Sequence, residues 1–245
     1  MIDLHCHLLP GIDDGASNMG ESLALADIAY ANGIKKCIVT PHINPGRYDN
    51  DITTIRAAFT AFQQALQENN IPLQVGMAGE VRICPEIMGM IEQNRIPFLG
   101  SLDGYRIMLL EMPYNQIPLG SDKMVRWLLN RKIRPMIAHP ERNGEIVRHL
   151  ESIYPFIELG CLLQITASSI AGYFGPQLQQ RAQQMLEMGW VSVIASDAHN
   201  QNHRPPDLES GRVAAAQIVG ERAAWTMVHD TPEQITQEKF TENAN

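Results

Sequence analysis

The sequence predicts an α/β fold in which seven strand–helix units close into one (β/α)7 barrel, a single domain over residues 1–245. Three observations lead there. Short apolar runs alternate with helix-period patterns along the whole chain, without a low-complexity linker or an internal repeat. The length suits one α/β barrel around one core. Metal-binding residue types follow six of the seven strand candidates. Periodicity alone leaves an open doubly wound sheet possible, but a barrel gathers strand ends on one face, where polar residues distant in sequence can converge.

The elements follow in order. Ile2-Asp3-Leu4-His5 is the first strand, and Ser17 or Asn18 caps a helix carrying Leu23, Ala26 and Ala29 on one face, with Gly33 placed to stop it. Ile34 to Thr40 is the second strand. Asp51 to Asn69 reads as a helix, with Ile55, Ala58, Phe59, Phe62 and Leu66 at helical spacing, before the strand Leu73 to Ala78. Further strands are expected at Ile107–Leu110, Pro135–Ala138, Leu162–Thr166 and Val191–Ala195, separated by helices near 85–93, 121–131, 145–158 and 177–188.

Composition narrows the function. Hydrophobic residues make up 44% and charged residues 19%, a balance that belongs to a folded chain. A net charge of −8 without a basic run repels phosphate backbones, so nucleic acid is not an expected partner. The start lacks a basic segment leading into an apolar one, and no run of 18 or more apolar residues occurs, so we expect no membrane insertion and a cytoplasmic protein. The cysteines Cys6, Cys37, Cys84 and Cys161 are scattered and form no Cys-x-x-Cys pair. A thiol phosphatase carries arginine six positions after its cysteine; here those positions hold Ile12, Ile43, Met90 and Ala167. A phosphatase of this sequence needs another nucleophile.

After successive strands come His5 and His7, then His42, Glu80, Glu111, His139, and finally Asp197 and His199. Only the strand ending near Thr166 contributes nothing to this series. Side chains at i and i+2 of a strand point the same way, so His5-x-His7 and Asp197-x-His199 are each expected to grip one ion. Asp14 can reach back from the following loop. The result is a set of nitrogen and oxygen donors without thiolate, which suits Mn²⁺, Fe²⁺ or Zn²⁺. A lone His-x-His or a lone buried glutamate would more often be incidental; shared placement after strands gives the set its meaning. Cys6 should face away from the histidines and pack as a small hydrophobe. His149, His203 and His229 follow no strand and read as surface or helix residues, and Trp127, Trp190 and Trp225 as core or interface anchors. Arg142 and Arg204 lie in loops of the same face and offer forked donors to phosphate oxygens, with Arg47 and Tyr48 weaker candidates at the entrance.

With these residues in place, the chain resembles the PHP (polymerase and histidinol phosphatase) superfamily, and within it the bacterial capsule-type protein-tyrosine phosphatases. The segments that carry the resemblance are Met1 to His7, Asp13-Asp14-Gly15, Thr40-Pro41-His42, Gly79-Glu80, Glu111, Ala138 to Arg142, Ala195 to Asn200 and Arg204-Pro205-Pro206. The resemblance implies a distorted TIM-like (β/α)7 barrel with three divalent ions, often manganese. It implies His5, His7, Asp14, His42, Glu80, Glu111, His139, Asp197 and His199 as ligands, and Arg142 and Arg204 as the phosphate-holding pair. It further implies a phosphotyrosine-bearing substrate, a tyrosine kinase that regulates capsular or exopolysaccharide biosynthesis. The chain departs from the pattern at Thr166, where similar chains carry asparagine, and in the less basic loop 43–48. On this reading a hydroxide held between metal ions attacks phosphorus in line. The tyrosine phenolate, with a pKa near about 10, leaves with little protonation help. The alternatives are a phosphatase for a small phosphomonoester such as histidinol phosphate, and a metal-binding interaction module without catalysis.

Overall fold

The computed structural model describes residues 1–240; the last five residues of the expected 1–245 unit lie outside the described residues. The chain opens with β1 (Ile2–Cys6), buried at every position. Asn18 caps α1 (Met19–Ala31) by accepting a hydrogen bond from the Glu21 backbone N–H, and Gly33, at φ +93°, turns the chain out of the helix. Asp51 caps α2 (Ile52–Glu68) in a reciprocal box with Thr54, and the helix buries Ile55, Phe62 and Leu66.

Two of the expected strands are each followed by a further short strand that the period analysis does not anticipate. The run Ile34 to Thr40 becomes β2 (Lys36–Val39), followed after a break by β3 (His42–Ile43). The run Leu73 to Ala78 becomes β4 (Gln74–Met77), followed by β5 (Glu80–Arg82). β2 pairs with β4 and β3 with β5, all parallel. Pro41, which has no N–H to give the ladder, sits at the first break; its carbonyl still accepts from Glu80 N at 3.1 Å. Gly79 sits at the second, where a Cβ would lie 2.5 Å from Ile43 Cδ1. The breaks re-aim His42 and Glu80 at the ends of their strands.

α3 (Glu86–Glu92) leads to β6 (Gly100–Leu102) and β7 (Tyr105–Glu111), an antiparallel hairpin that the period analysis does not anticipate. Its turn, Asp103-Gly104, has both residues at positive φ, the chemistry of a two-residue hairpin. α4 (Ser121–Leu129) and β8 (Ile133–Ala138) come next. The helix expected at 145–158 is broken into α5 (Gly144–Arg148), a 3₁₀ turn and α6 (Tyr154–Glu158), because His149 adopts an extended backbone and Pro155 restarts the helix. β9 (Leu162–Thr166), α7 (Ala167–Ile170), α8 (Pro176–Glu187) and β10 (Val193–Ala195) complete the alternation, followed by α9 (Glu209–Val219), α10 (Glu221–Trp225) and α11 (Thr231–Thr236). The last three helices had no counterpart in the sequence reading.

The parallel ladder runs from β3 through β5, β7, β8 and β9 to β10. β1, β2 and β4 continue it at the other end, and Asp197 N to His5 O (2.8 Å) and His7 N to Ala198 O (2.8 Å) join the last strand to the first. Ile2, Leu4, Ile38, Ile107, Leu109, Met136, Val193 and Ala195 pack into one cluster contributed by both sheets, and a larger second cluster takes in residues of strands and helices. Each such Leu or Ile contributes about 1.5–3 kcal/mol by leaving water. Ile235 of α11 enters the smaller cluster, and Gly100 makes room for it: a Cβ there would lie 1.9 Å from the Ile235 carbonyl oxygen.

Candidate metal centre

The strand ends bring all nine expected donors together. His5 and His7 leave β1 on one side, with Nε2 atoms 3.2 Å apart, while Cys6 packs in the larger cluster and donates weakly to the Ile38 carbonyl at 3.5 Å. Three overlapping groups of ligand atoms form among the described residues: His7, Asp14, His42 and His199; His5, His7 and Glu80; His42, Glu80 and Glu111. His139 joins through Nε2 to Glu80 Oε1 at 2.8 Å, and Asp197 through Oδ1 to His5 Nε2 at 3.3 Å.

Geometry adds detail to two expectations. Asp197 and His199 do not run side by side from an extended strand, because Asp197 takes φ +53°. His199 turns Nδ1 back onto the Asp197 carbonyl (2.9 Å) and places Nε2 3.6 Å from Asp14, whereas Asp197 Oδ1 lies 3.3 Å from His5 Nε2. The strand ending at Thr166 adds no residue to the donor groups, yet its Gln164 places Oε1 2.9 Å from His5 Nδ1 and fixes that ring.

Further supporting residues were not anticipated. Asp13 is one: Oδ2 lies 2.7 Å from His7 Nδ1 and accepts from the His42 backbone N–H (3.1 Å), while Oδ1 accepts from Gly15 N (3.0 Å). Its signal in the sequence is the Asp13-Asp14 doublet, whose second member alone has the reach expected of a ligand. Arg82, two positions beyond Glu80, grips both oxygens of Glu111 at 2.9 Å. Glu141 is fully buried and accepts from Thr166 N (2.9 Å) and Ser169 Oγ (2.8 Å), pinning the turn that carries Arg142.

Arg142 and Arg204 both donate to Asp197 Oδ2. They occupy the expected face, but as partners of a candidate ligand rather than as free cations. Arg142 also lies 5.1 Å from the Phe174 ring. Arg47 is exposed, 5.2 Å from the Tyr48 ring, and Tyr48 stacks on His42 at 5.4 Å. His149 and His203 are exposed, and His229 stacks on Trp225; none approaches the cluster. Trp127 and Trp190 pack on the core, whereas Trp225 is partly exposed.

The electrostatics are those of a cation site. Burial pushes Glu111 up, and the charge of Glu80 adds to it, to about 7. Burial opposes the charged form of Glu80 too, but His5 and His42 outweigh it and hold that carboxylate well below its usual range. For His42 the same balance ends at about 10, because Glu80 and Asp14 overcome burial; burial and the neighbouring His7 push His199 down to about 4. His42 Nδ1, Glu80 Oε2, Glu111 Oε2 and Asp197 Oδ1 are all buried and make no hydrogen bond. Buried carboxylates with oxygens left outside any well-formed hydrogen bond are costly, and a cation among them offsets that cost. The residues present therefore fit divalent metal. A cavity of about 200 Å³ is lined by His42, Glu80 and Glu111 together with Arg142 and Arg204.

Comparison with known proteins agrees with this geometry. The profile of the family described as "Capsular polysaccharide synthesis, CpsB/CapC" matches residues 1–237. The tyrosine-protein phosphatase YwqE of Bacillus subtilis is 37% identical over 204 residues, 83% of this chain and 79% of that protein. The putative tyrosine-protein phosphatase CapC of Staphylococcus aureus is 32% identical, over 84% of this chain and 79% of its own length. A solved chain from the work on YwqE and on CpsB from Streptococcus pneumoniae, described as unique metal-dependent tyrosine phosphatases, superposes with a TM-score of 0.90 at 32% identity. It covers 98% of this chain and 95% of that one. The phosphotriesterase homology protein from Escherichia coli, at 14% identity and a TM-score of 0.62 over 96% of this chain and 98% of that one, shares the fold.

Proposed function

Because the chain belongs to the CpsB/CapC capsular polysaccharide synthesis family, we propose that it is a metal-dependent hydrolase that removes phosphate from phosphotyrosine in a protein. One observation carries this most: nine nitrogen and oxygen donors from six strand ends and one loop converge at a cavity that Arg142 and Arg204 also line. Three divalent ions, manganese first and Fe²⁺ or Zn²⁺ as alternatives, fit the three overlapping donor groups. His5, His7, Asp14, His42, Glu80, Glu111, His139, Asp197 and His199 would hold them. When bound, such ions supply Lewis acidity toward phosphoryl oxygens and bring the pKa of coordinated water down to about 7.

The chain's own residues do the rest. Asp13 and Gln164 fix the His7 and His5 rings through their Nδ1 atoms, so each presents Nε2 to the centre. Arg142 and Arg204 bring two guanidinium groups to Asp197, where they can turn one donor each onto phosphoryl oxygens and offset the charge that grows there during in-line attack. Glu141 keeps Arg142 in place. Tyrosine leaves as a phenolate with a pKa near about 10, so the site needs no strong general acid.

The substrate we favour is a tyrosine kinase that governs capsular or exopolysaccharide synthesis, which accords with the family's description. We place the protein in the cytoplasm as one domain: its four cysteines are free, and no helix among the described residues is long and apolar enough to cross a membrane.

The deciding experiment loads the purified chain with Mn²⁺ and compares phosphate release from a phosphotyrosine peptide, a phosphoserine peptide and histidinol phosphate. Chelator-treated protein and His139→Ala serve as controls. Preferential, metal-dependent release from phosphotyrosine is expected. Preference for histidinol phosphate would keep the metal centre and overturn the substrate, and no release from any of them would leave a metal-binding module.

A further inference from the structure

We infer that Tyr114 is a specificity-determining residue that forms one wall for the aryl ring of the substrate; this rests on the proposed phosphotyrosine activity. Tyr114 lines the cavity at the donor cluster, yet 68% of its surface is exposed and its side chain makes no hydrogen bond among the described residues. The other tyrosine of that cavity, Tyr48, is already engaged, stacked on His42 with an interplanar angle of 11°. Tyr114 thus offers a largely exposed aromatic ring at the cavity.

An exposed aromatic on a loose loop would mean little. Here the backbone beneath it is fastened by five hydrogen bonds. Gly144 N donates to the Tyr114 carbonyl (2.7 Å), and Asn143 Nδ2 donates to the carbonyls of Pro113 (2.7 Å) and Gln116 (3.2 Å). Ile117 N donates to Glu145 Oε2 (2.9 Å), and Arg148 to the Asn115 carbonyl (3.2 Å). All the anchoring groups lie in residues 143–148, directly after Arg142. Arg142, which we place at the phosphoryl group, and Tyr114 therefore belong to one hydrogen-bonded unit, and their separation is fixed before substrate arrives.

That fixed separation discriminates by chemistry. In phosphotyrosine a rigid ring is joined to the phosphoryl group through a single oxygen, so holding the phosphate presents the ring to a wall at constant distance. In phosphoserine the same oxygen leads to a methylene and then to peptide backbone, with no π face to stack. Aromatic pairs prefer offset or edge-to-face contact and gain beyond the area they bury, so loss of the wall should cost about tenfold in kcat/KM.

The test uses Mn²⁺-loaded protein and two peptides of one sequence, bearing phosphotyrosine or phosphoserine. Tyr114→Ala should lower kcat/KM for the phosphotyrosine peptide about tenfold, mainly through KM, while the phosphoserine peptide changes less than about twofold. Tyr114→Phe should restore the preference. Metal content and Tm should match wild type, and Leu119→Ser, at a fully exposed position of the same loop, should leave both rates unchanged. Equal losses on both peptides, or no loss on either, would overturn the role of Tyr114 while leaving the phosphotyrosine activity standing. A wild-type enzyme without preference for phosphotyrosine would overturn that activity first, and this inference with it.

Discussion

Asp13→Ala should weaken metal binding without removing a single expected ligand. Asp13 Oδ2 serves both the His7 ring, at 2.7 Å, and the His42 backbone N–H, at 3.1 Å, so one carboxylate sets the direction of two donors. Removing it leaves His7 Nδ1 without its acceptor and frees the ring to rotate or to change tautomer. Loss of a group that orients a metal-bound histidine typically costs about 10–100-fold in metal affinity, or about 1.4–2.7 kcal/mol. Two buried donors left without acceptors cost the metal-free fold about 1–3 kcal/mol each. The assay is Mn²⁺ titration of metal-free protein by calorimetry, paired with urea unfolding of the same samples. Both quantities should fall. An Asp13→Ala protein that unfolds at a lower urea concentration but binds Mn²⁺ as tightly as wild type would refute the orienting role and leave Asp13 a structural residue only.

Other outcomes follow from the same geometry. Arg142→Ala should keep its metal, since Arg204 still pairs with Asp197, yet lose about 10²–10³ in kcat; rates alongside metal analysis check this. Gly15→Ala should disrupt the Asp13-Asp14 loop, because its Cβ would lie 2.2 Å from the His7 carbonyl oxygen, and Mn²⁺ titration should show weaker binding at near-normal helix content. His42, raised from an ordinary 6.5 to about 10, contributes stability to the metal-free protein that is fully present below pH 6.5 and lost as pH rises through about 10. The Tm of metal-free wild type should therefore fall between pH 7 and 10 more steeply than that of His42→Gln; parallel curves would contradict the shift.

Much of the site was legible because its residue types are rare and their places regular. Histidines and acids after successive strands converge whenever those strands share one face, so His5, Glu80 and His139 could be grouped without coordinates. Residues that orient those donors were harder to see. Gln164 sits in an apolar strand where one polar residue reads as an irregularity, and its role appears only when its Oε1 meets His5 from a strand 159 residues away. Asp13 was hidden by its neighbour. The fold was legible where one period ran long enough, as in α2, and failed where a backbone event intervened. Pro41 and Gly79 interrupt strands whose side-chain pattern continues, and Pro155 restarts a helix whose apolar spacing looks unbroken. The Asp103-Gly104 turn was a readable hairpin signal, but β6, with three residues, was too short to declare a period.

The join between the first and last strands sets how the centre and the fold depend on each other. His5 and His7 lie on one side of it and Asp197 and His199 on the other, and Asp3 crosses it to accept from the Ser196 hydroxyl and backbone N–H. A metal ion held by both sides would work as a clasp on a belt whose two ends are the first and last strands. Amide protons of residues 5–7 and 196–198 should then exchange with solvent as one cooperative group, slow when the clasp is shut and fast when the metal is stripped. Opening the belt and dismantling the donor cluster would then be a single event, read out as lost protection along β1.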